Sequence, residues 1–210
     1  MTAETMTAYS GDTAIHPVWV RITHWINTIA ILVMIGSGWQ IYDASPLFGF
    51  TFPKAITLGG WLAGALLWHF AAMWVLVING IVYVTLGLAT GRFRRKLLPI
   101  YPSQVLADAK AALTFKLAHD DLSHYNAVQK VLYTGVILCG VLIVLSGLAI
   151  WKPVQFQSIA AVMGGYEGAR LVHFFAMSTV VSIVLVHILM VILVPRTFPS
   201  MITGRIGSAS

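Results

Sequence analysis

The sequence predicts an all-α integral membrane protein: a four-helix bundle with an interfacial helix in its cytoplasmic loop. Three observations carry this reading. Of 210 residues 58% are hydrophobic and only 10% charged, whereas soluble domains are about a quarter charged. Four long runs, at about 18–42, 56–90, 128–151 and 168–194, are almost free of acid and base, and each reaches the roughly 20 apolar residues that cross about 30 Å of hydrocarbon. In lipid every backbone polar group must be satisfied internally, so such runs fold as helices and not as open sheet.

Residues 1–17 form a polar, acidic tail without the basic start, apolar centre and small-residue cleavage site of a signal peptide. The first span carries Arg21 and His24 near its start. The second run has 35 residues, about 10 more than a span needs, so one end must leave the hydrocarbon or the helix must tilt. Counting back about 20 residues from Leu88, which precedes the basic GRFRRK cluster, places His69 at the outer edge of the core. The surplus, ITLGGWLAGAL, is then expected to project outward as a docking surface. Between the second and third spans, PSQVLADAKAALTFKLAHDD alternates apolar and charged residues at helical spacing. It is expected to lie along the inner membrane surface, with a solvated loop helix as the alternative. The third span holds the single cysteine, Cys139, which excludes an intrachain disulfide and C-x-x-C-H haem attachment and serves as a small apolar residue. The fourth span carries His173 and His187, and residues 195–210 form the closing tail.

Basic residues orient the bundle. Arg21, Arg92, Arg94, Arg95, Lys96, Lys110, Lys116, Lys130, Arg196 and Arg205 fall on one side of a four-span layout, and Lys54, Lys152 and Arg170 on the other. The excess places both termini in the cytoplasm of a multi-pass protein of the bacterial inner membrane. A pI near 9.7 then reflects anionic lipid at the inner face, since no nucleic-acid-binding module is visible.

Within this layout a repeat becomes legible. LWHFAAM at 67–73 and LVHFFAM at 171–177 lie in spans of the same direction, and SGWQIYD at 37–43 is echoed by SGLAIWK at 146–152. The chain therefore reads as two related helical hairpins, with His69 and His173 at matching depth near the outer face. His187 follows His173 by fourteen residues, about 40° short of four whole turns, so both rings leave one face of the helix about 21 Å apart. His24 lies seven residues after Pro17 and His187 eight before Pro195, which gives them a shared inner depth. Tyr83 stands fourteen residues after His69, where the fourth span has His187.

Neutral imidazole is a common metal ligand, and bundle cofactors are held by side chains on facing helices. Two axial imidazoles from opposite helices suit a low-spin b-type haem. Gly36, Gly38, Gly64, Gly140 and Gly147 could make room for a flat macrocycle or serve close helix packing. Arg21 and Arg170 each precede a proposed ligand by three residues and are placed to pair with haem propionates or to anchor at the interface. A lone histidine in a membrane helix can simply bond a neighbouring hydroxyl or carbonyl, but four in two depth-matched pairs are poorly explained that way. His16, His119 and His124 fall outside the spans.

R-x-x-H-W-x-N in the first span, the histidine in the second, H-x13-H in the fourth and HYNAVQK before the third together resemble the membrane cytochrome b superfamily. That group includes formate dehydrogenase gamma subunits and nickel-iron hydrogenase b-type cytochrome subunits. HPVWVRITHWIN, WKPVQF and GGYEGARLVHF look closest to thiosulfate-reductase-type cytochrome b subunits, which accompany periplasmic molybdopterin oxidoreductases. The resemblance implies two haem b groups, the outer held by His69 and His173 and the inner by His24 and His187, the pairing that the depths give independently. It also implies a quinone or quinol site beside the inner haem at Asn126 and Gln129, although Asn126 could equally cap the third helix. His124, close by in sequence, could pass protons between the cytosol and the quinone. The chain is thus expected to be an electron-transfer subunit between the quinone pool and a periplasmic oxidoreductase, not a complete enzyme, with homo-oligomerisation left open.

Three rivals remain open at this level. A proton-coupled transporter would usually carry acidic residues inside the membrane, whereas Glu4, Asp12, Asp43, Asp108, Asp120, Asp121 and Glu167 fall in loops or at span ends. A stand-alone haem enzyme could act on superoxide or ferric iron at the outer face. A plain membrane anchor would need no cofactor.

Overall fold

A computed structural model describes residues 16–97, 101–113, 127–195 and 198–204. Among these residues the regular secondary structure is helical, with α1 at Val18–Ala44, a 3-10 turn at Lys54–Ile56, α2 at Leu62–Ala89, α3 at Arg92–Leu97, α4 at Pro102–Leu113, α5 at Ala127–Trp151, α6 at Gln157–Val162, α7 at Gly165–Leu193 and α8 at Ser200–Thr203. Four of them, α1, α2, α7 and the Lys130–Trp151 part of α5, are long and apolar enough to cross a membrane. The protein is an all-α membrane helical bundle.

Side-chain size is sorted as lipid demands. Most buried residues of the long helices are small, among them Ala30, Ser37, Ala65, Ala72, Ser146, Ala149, Ala169 and Ala176, with Val20, Tyr42 and Asn79 as larger exceptions. Large side chains such as Ile29, Leu67, Trp74, Ile78, Leu138, Leu185 and Ile192 are exposed. With lipid as apolar as leucine, helices associate by close backbone approach over small residues, and bulky side chains turn to the hydrocarbon.

The closest packed helix pairs are α1 with α2 and α5 with α7, the two hairpins. Inside the first hairpin the Asn79 amide donates to the Thr23 carbonyl at 2.8 Å and to Asn27 Oδ1 at 2.7 Å. Contacts between the hairpins obey the repeat: Tyr42 at the end of α1 packs on Phe174 of α7 at 5.3 Å between centroids, and Trp151 at the end of α5 packs on Phe70 of α2 at 5.1 Å. Each pair joins the residue five after the serine of one SG motif to the residue just after the histidine of the other hairpin.

The connection between α1 and α2 differs from expectation. The helix starts at Leu62 and not near Ile56, and residues 56–61 fold back along α1 instead of projecting outward. Leu58 N–H donates to the Gly36 carbonyl at 2.9 Å, and Leu58 Cβ lies where a side chain on Gly36 would reach, at 3.2 Å. The physical cause is the glycine pair. Gly59 and Gly60 have φ of 109° and 72°, a left-handed backbone that breaks the helix and that side chains disfavour. Of the expected outward surface, Ile56, Trp61 and Leu62 are exposed large apolar residues. Phe48, Phe50 and Phe52 cover the same end, and Phe52 stacks on Trp39 at 4.7 Å.

The connection between the hairpins contains α4, whose first residue is Pro102, a position where the missing N–H costs nothing. It falls within the stretch expected to form a surface helix; the remainder of that stretch, 114–121, lies outside the described residues, as do residues 1–15 and 205–210 of the tails.

Candidate functional site

His69 and His173 occupy matching niches. Ser37 Oγ of α1 lies 3.0 Å from His69 Nδ1 of α2, and Ser146 Oγ of α5 lies 3.0 Å from His173 Nδ1 of α7. The next residue in each case is a glycine whose missing Cβ faces the same ring: a Cβ on Gly38 would stand 3.5 Å from His69 Cε1, and one on Gly147 would stand 3.4 Å from His173 Cε1. Ala65 and Ala169, one turn before each histidine, are both fully buried at 0% exposure.

Geometry extends the repeat beyond the seven residues that the sequence displays. Each histidine is preceded by a glycine pair and then by a further glycine five residues ahead of it. A Cβ on Gly64 would meet the Gly59 carbonyl oxygen at 2.3 Å, and one on Gly168 would meet the Met163 carbonyl oxygen at 1.9 Å. A tight glycine turn thus starts both helices and fixes the depth at which the histidine enters the bundle.

At the opposite, basic end, His24 of α1 and His187 of α7 come together, with ring centroids 6.1 Å apart and planes 57° from parallel. Two imidazoles that share one metal ion, each about 2 Å from it through a ring nitrogen, hold their centroids about 6 Å apart. The pair therefore fits a bis-imidazole centre. Trp25 stacks on His24 at 5.3 Å, and Thr28 Oγ1 lies 3.4 Å from His24 Nδ1 while donating to the His24 carbonyl at 2.9 Å. Among the described residues no group of three or more His, Cys, Asp or Glu is arranged to hold a metal ion, so the donor sets on offer are imidazole pairs.

The arginines are partly committed to protein. Arg21 donates to the Ile202 carbonyl, and a Cβ on Gly204 would stand 3.4 Å from its guanidinium. Arg21 Nε is buried with no hydrogen-bond partner, a donor still available to an anionic group. Arg170 pairs with Glu167 at 2.9 Å and donates to the Ser45 carbonyl and, at 3.3 Å, to Ser45 Oγ. It thereby ties the start of α7 to the end of α1.

Asn126 and the Gln129 side chain, assigned to quinone from the sequence, lie outside the described residues, as do His119 and His124. His16 lies beside Arg92, with Nδ1 3.3 Å from the guanidinium. Of the glycines weighed for a macrocycle, Gly38 and Gly147 face histidine rings, Gly36 and Gly64 accommodate the loop before α2, and a Cβ on Gly140 would meet nothing within 4 Å. Ser37, Ser146 and Thr28 were not among the expected site residues; the paired SG echo was the only sequence signal for the two serines, and Thr28 had none.

Imidazoles brought together at the basic end, serine-braced imidazoles set into the other end, the orphaned Arg21 donor and the glycine-faced rings suit a haem-binding membrane protein. Residues 15–204 match the family described as prokaryotic cytochrome b561. The chain belongs to that family. It is a multi-pass prokaryotic membrane cytochrome of b561 type, an electron-transfer subunit that binds b-type haem. This cytochrome is also 53% identical over 192 residues, 91% of its own length and 97% of the other's, to the putative protein-methionine-sulfoxide reductase subunit YedZ1 of Azospira oryzae.

Proposed function

We propose that this cytochrome holds two b haems and carries electrons across the bacterial inner membrane between the quinone pool and an extracytoplasmic oxidoreductase. The observation that carries the reading is the His24–His187 pair at 6.1 Å, set one bundle length from the serine-braced histidines His69 and His173. In this reading His24 and His187 hold the inner haem, His69 and His173 the outer one, and Arg21 and Arg170 lie where propionates would need cations. Haem supplies one-electron redox chemistry when bound. The chain's own contribution is to present neutral imidazole nitrogens, to exclude water with small buried residues and lipid-facing bulk, and to keep the sites at fixed depths.

Quinone or quinol binds at the basic, cytoplasmic end, with Asn126 and Gln129 as neutral hydrogen-bond partners. Both termini are cytoplasmic, as the distribution of lysine and arginine favours. The partner docks at the opposite end, over Phe48, Phe50, Trp61 and Val162, which are exposed there. Likeness to YedZ1 favours a protein-methionine-sulfoxide reductase as that partner, and the resemblance to thiosulfate-reductase-type subunits favours one of molybdopterin type. The overall reaction balances: a quinol gives two electrons and two protons, and a sulfoxide takes two of each to become a thioether and water.

A reduced-minus-oxidised spectrum with a haem-to-protein ratio on the purified chain tests the core of the reading. Two b haems per chain are expected; a colourless protein overturns it, and a ratio near one removes one of the two sites. Co-purification from the native membrane with a methionine-sulfoxide-reducing enzyme supports the partner, and co-purification with a hydrogenase or formate dehydrogenase overturns that part alone.

A further inference from the structure

Ser37 and Ser146 present an unusually complete hydrogen-bond arrangement. A serine hydroxyl has one proton to give. Ser37 Oγ gives it to carbonyls of its own helix, Val33 at 2.6 Å and Met34 at 3.3 Å, and Ser146 Oγ does likewise to Leu142 at 2.8 Å and Ile143 at 3.1 Å. Such back-bonding one turn earlier is the ordinary habit of a serine inside a helix. Its consequence here is that each Oγ can only accept from the imidazole nitrogen 3.0 Å away. Nδ1 of both histidines is therefore the protonated nitrogen, and Nε2 keeps its lone pair.

We infer that Ser37 and Ser146 are the positioning residues of the outer haem site: they hold His69 and His173 in the Nδ1–H tautomer with Nε2 free to bind iron. The inference rests on the proposed ligation by those two histidines. Gly38 and Gly147 complete the device by admitting the Cε1 edge of each ring against the helix that carries the serine. Both serines are 0% exposed, so water is poorly placed to substitute for either hydroxyl. A histidine that ligates a metal characteristically donates its second ring N–H to an acceptor, which fixes the tautomer and raises the ligand's basicity. The same bond makes the bound ring more electron-donating and favours ferric over ferrous iron.

The test uses the full-length, detergent-purified cytochrome with Ser37→Ala, Ser146→Ala and the double substitution. Ser182→Ala is the control, because Ser182 Oγ makes the same kind of back-bond, to Ser178 O at 2.9 Å. Haem retention against an excess of apomyoglobin is expected to fall about 10- to 100-fold at the outer site of each single variant. In a redox titration the outer haem that remains is expected to shift to higher potential, while the inner haem and the control stay as in the wild type. Should the double variant fail to accumulate, the single variants decide. Unchanged affinity and potential of the outer haem in both single variants, or equal shifts of both haems, would overturn the inference while leaving two-haem binding intact. A wild-type chain without an outer haem would instead overturn the ligation on which the inference rests, and the inference with it.

Discussion

The imidazole rings of His24 and His187, one from each hairpin, stand 6.1 Å apart between centroids and tilt by 57°. The pair links α1 to α7 at the basic end, so removing either ring should empty that end alone. His187→Ala is expected to lower the haem-to-protein ratio from two to one and to leave the outer haem's spectrum and potential in place. Loss of the outer haem with retention of the inner one would refute the pairing.

Glycine at position 38 is expected to be a matter of size. A Cβ there would lie 3.5 Å from His69 Cε1, an ordinary contact, so Gly38→Ala should keep the outer haem. Gly38→Leu must displace the ring and is expected to lose that haem with the inner one retained. Equal haem content in the two variants would contradict this account of the ring's niche.

Asn79 is the polar tie of the first hairpin, and its two bonds span from α2 to the backbone and side chain of α1. Asn79→Ala leaves Asn27 Oδ1 without that donor. Interhelical hydrogen bonds in membranes contribute about 0.6 kcal/mol on average and up to about 1.7 kcal/mol. Unfolding in mixed micelles should therefore show a loss within that range, with both haems still bound. A loss of several kcal/mol would mean that Asn79 does more than tie the helices.

The segment at Phe198–Gly204 is held to the start of α1 by Arg21 on the Ile202 carbonyl and by Trp25 Nε1 on the Met201 carbonyl at 3.1 Å. Arg21→Gln together with Trp25→Phe is expected to speed protease cleavage in this segment several-fold while cleavage of the 45–61 loop stays constant. Equal rates for wild type and variant would show that the two bonds do not anchor it.

Much of this arrangement was legible before any coordinates. Run length and charge predict the four long apolar helices, and the distances of His24 from Pro17 and of His187 from Pro195 predict that those two rings come together, as they do. What escaped notice escaped for physical reasons. Ile56–Trp61 is apolar and uncharged, so hydropathy joins it to the second span, whereas its conformation is decided by Gly59 and Gly60 at positive φ. The longer repeat was hidden because GGWLAGA and GGYEGA differ by one residue before the third glycine, which an ungapped comparison does not bridge. Ser37 and Ser146 looked like tolerated polar residues because a serine that bonds its own helix carries no periodic signature. Asn126 and Gln129 rest on resemblance alone.

The two-fold likeness of the hairpins has a limit. Thirteen residues before the bracing serine stands His24 in α1 but Tyr133 in α5, and fourteen after the outer histidine stands Tyr83 in α2 but His187 in α7. Two identical copies of either hairpin could close a serine-braced histidine pair at one end. Neither copy doubled could bring His24 against His187, because each hairpin keeps only one of them and has a tyrosine in place of the other. The second centre thus depends on the difference between the two hairpins, and a symmetric dimer of either present-day hairpin would lack it.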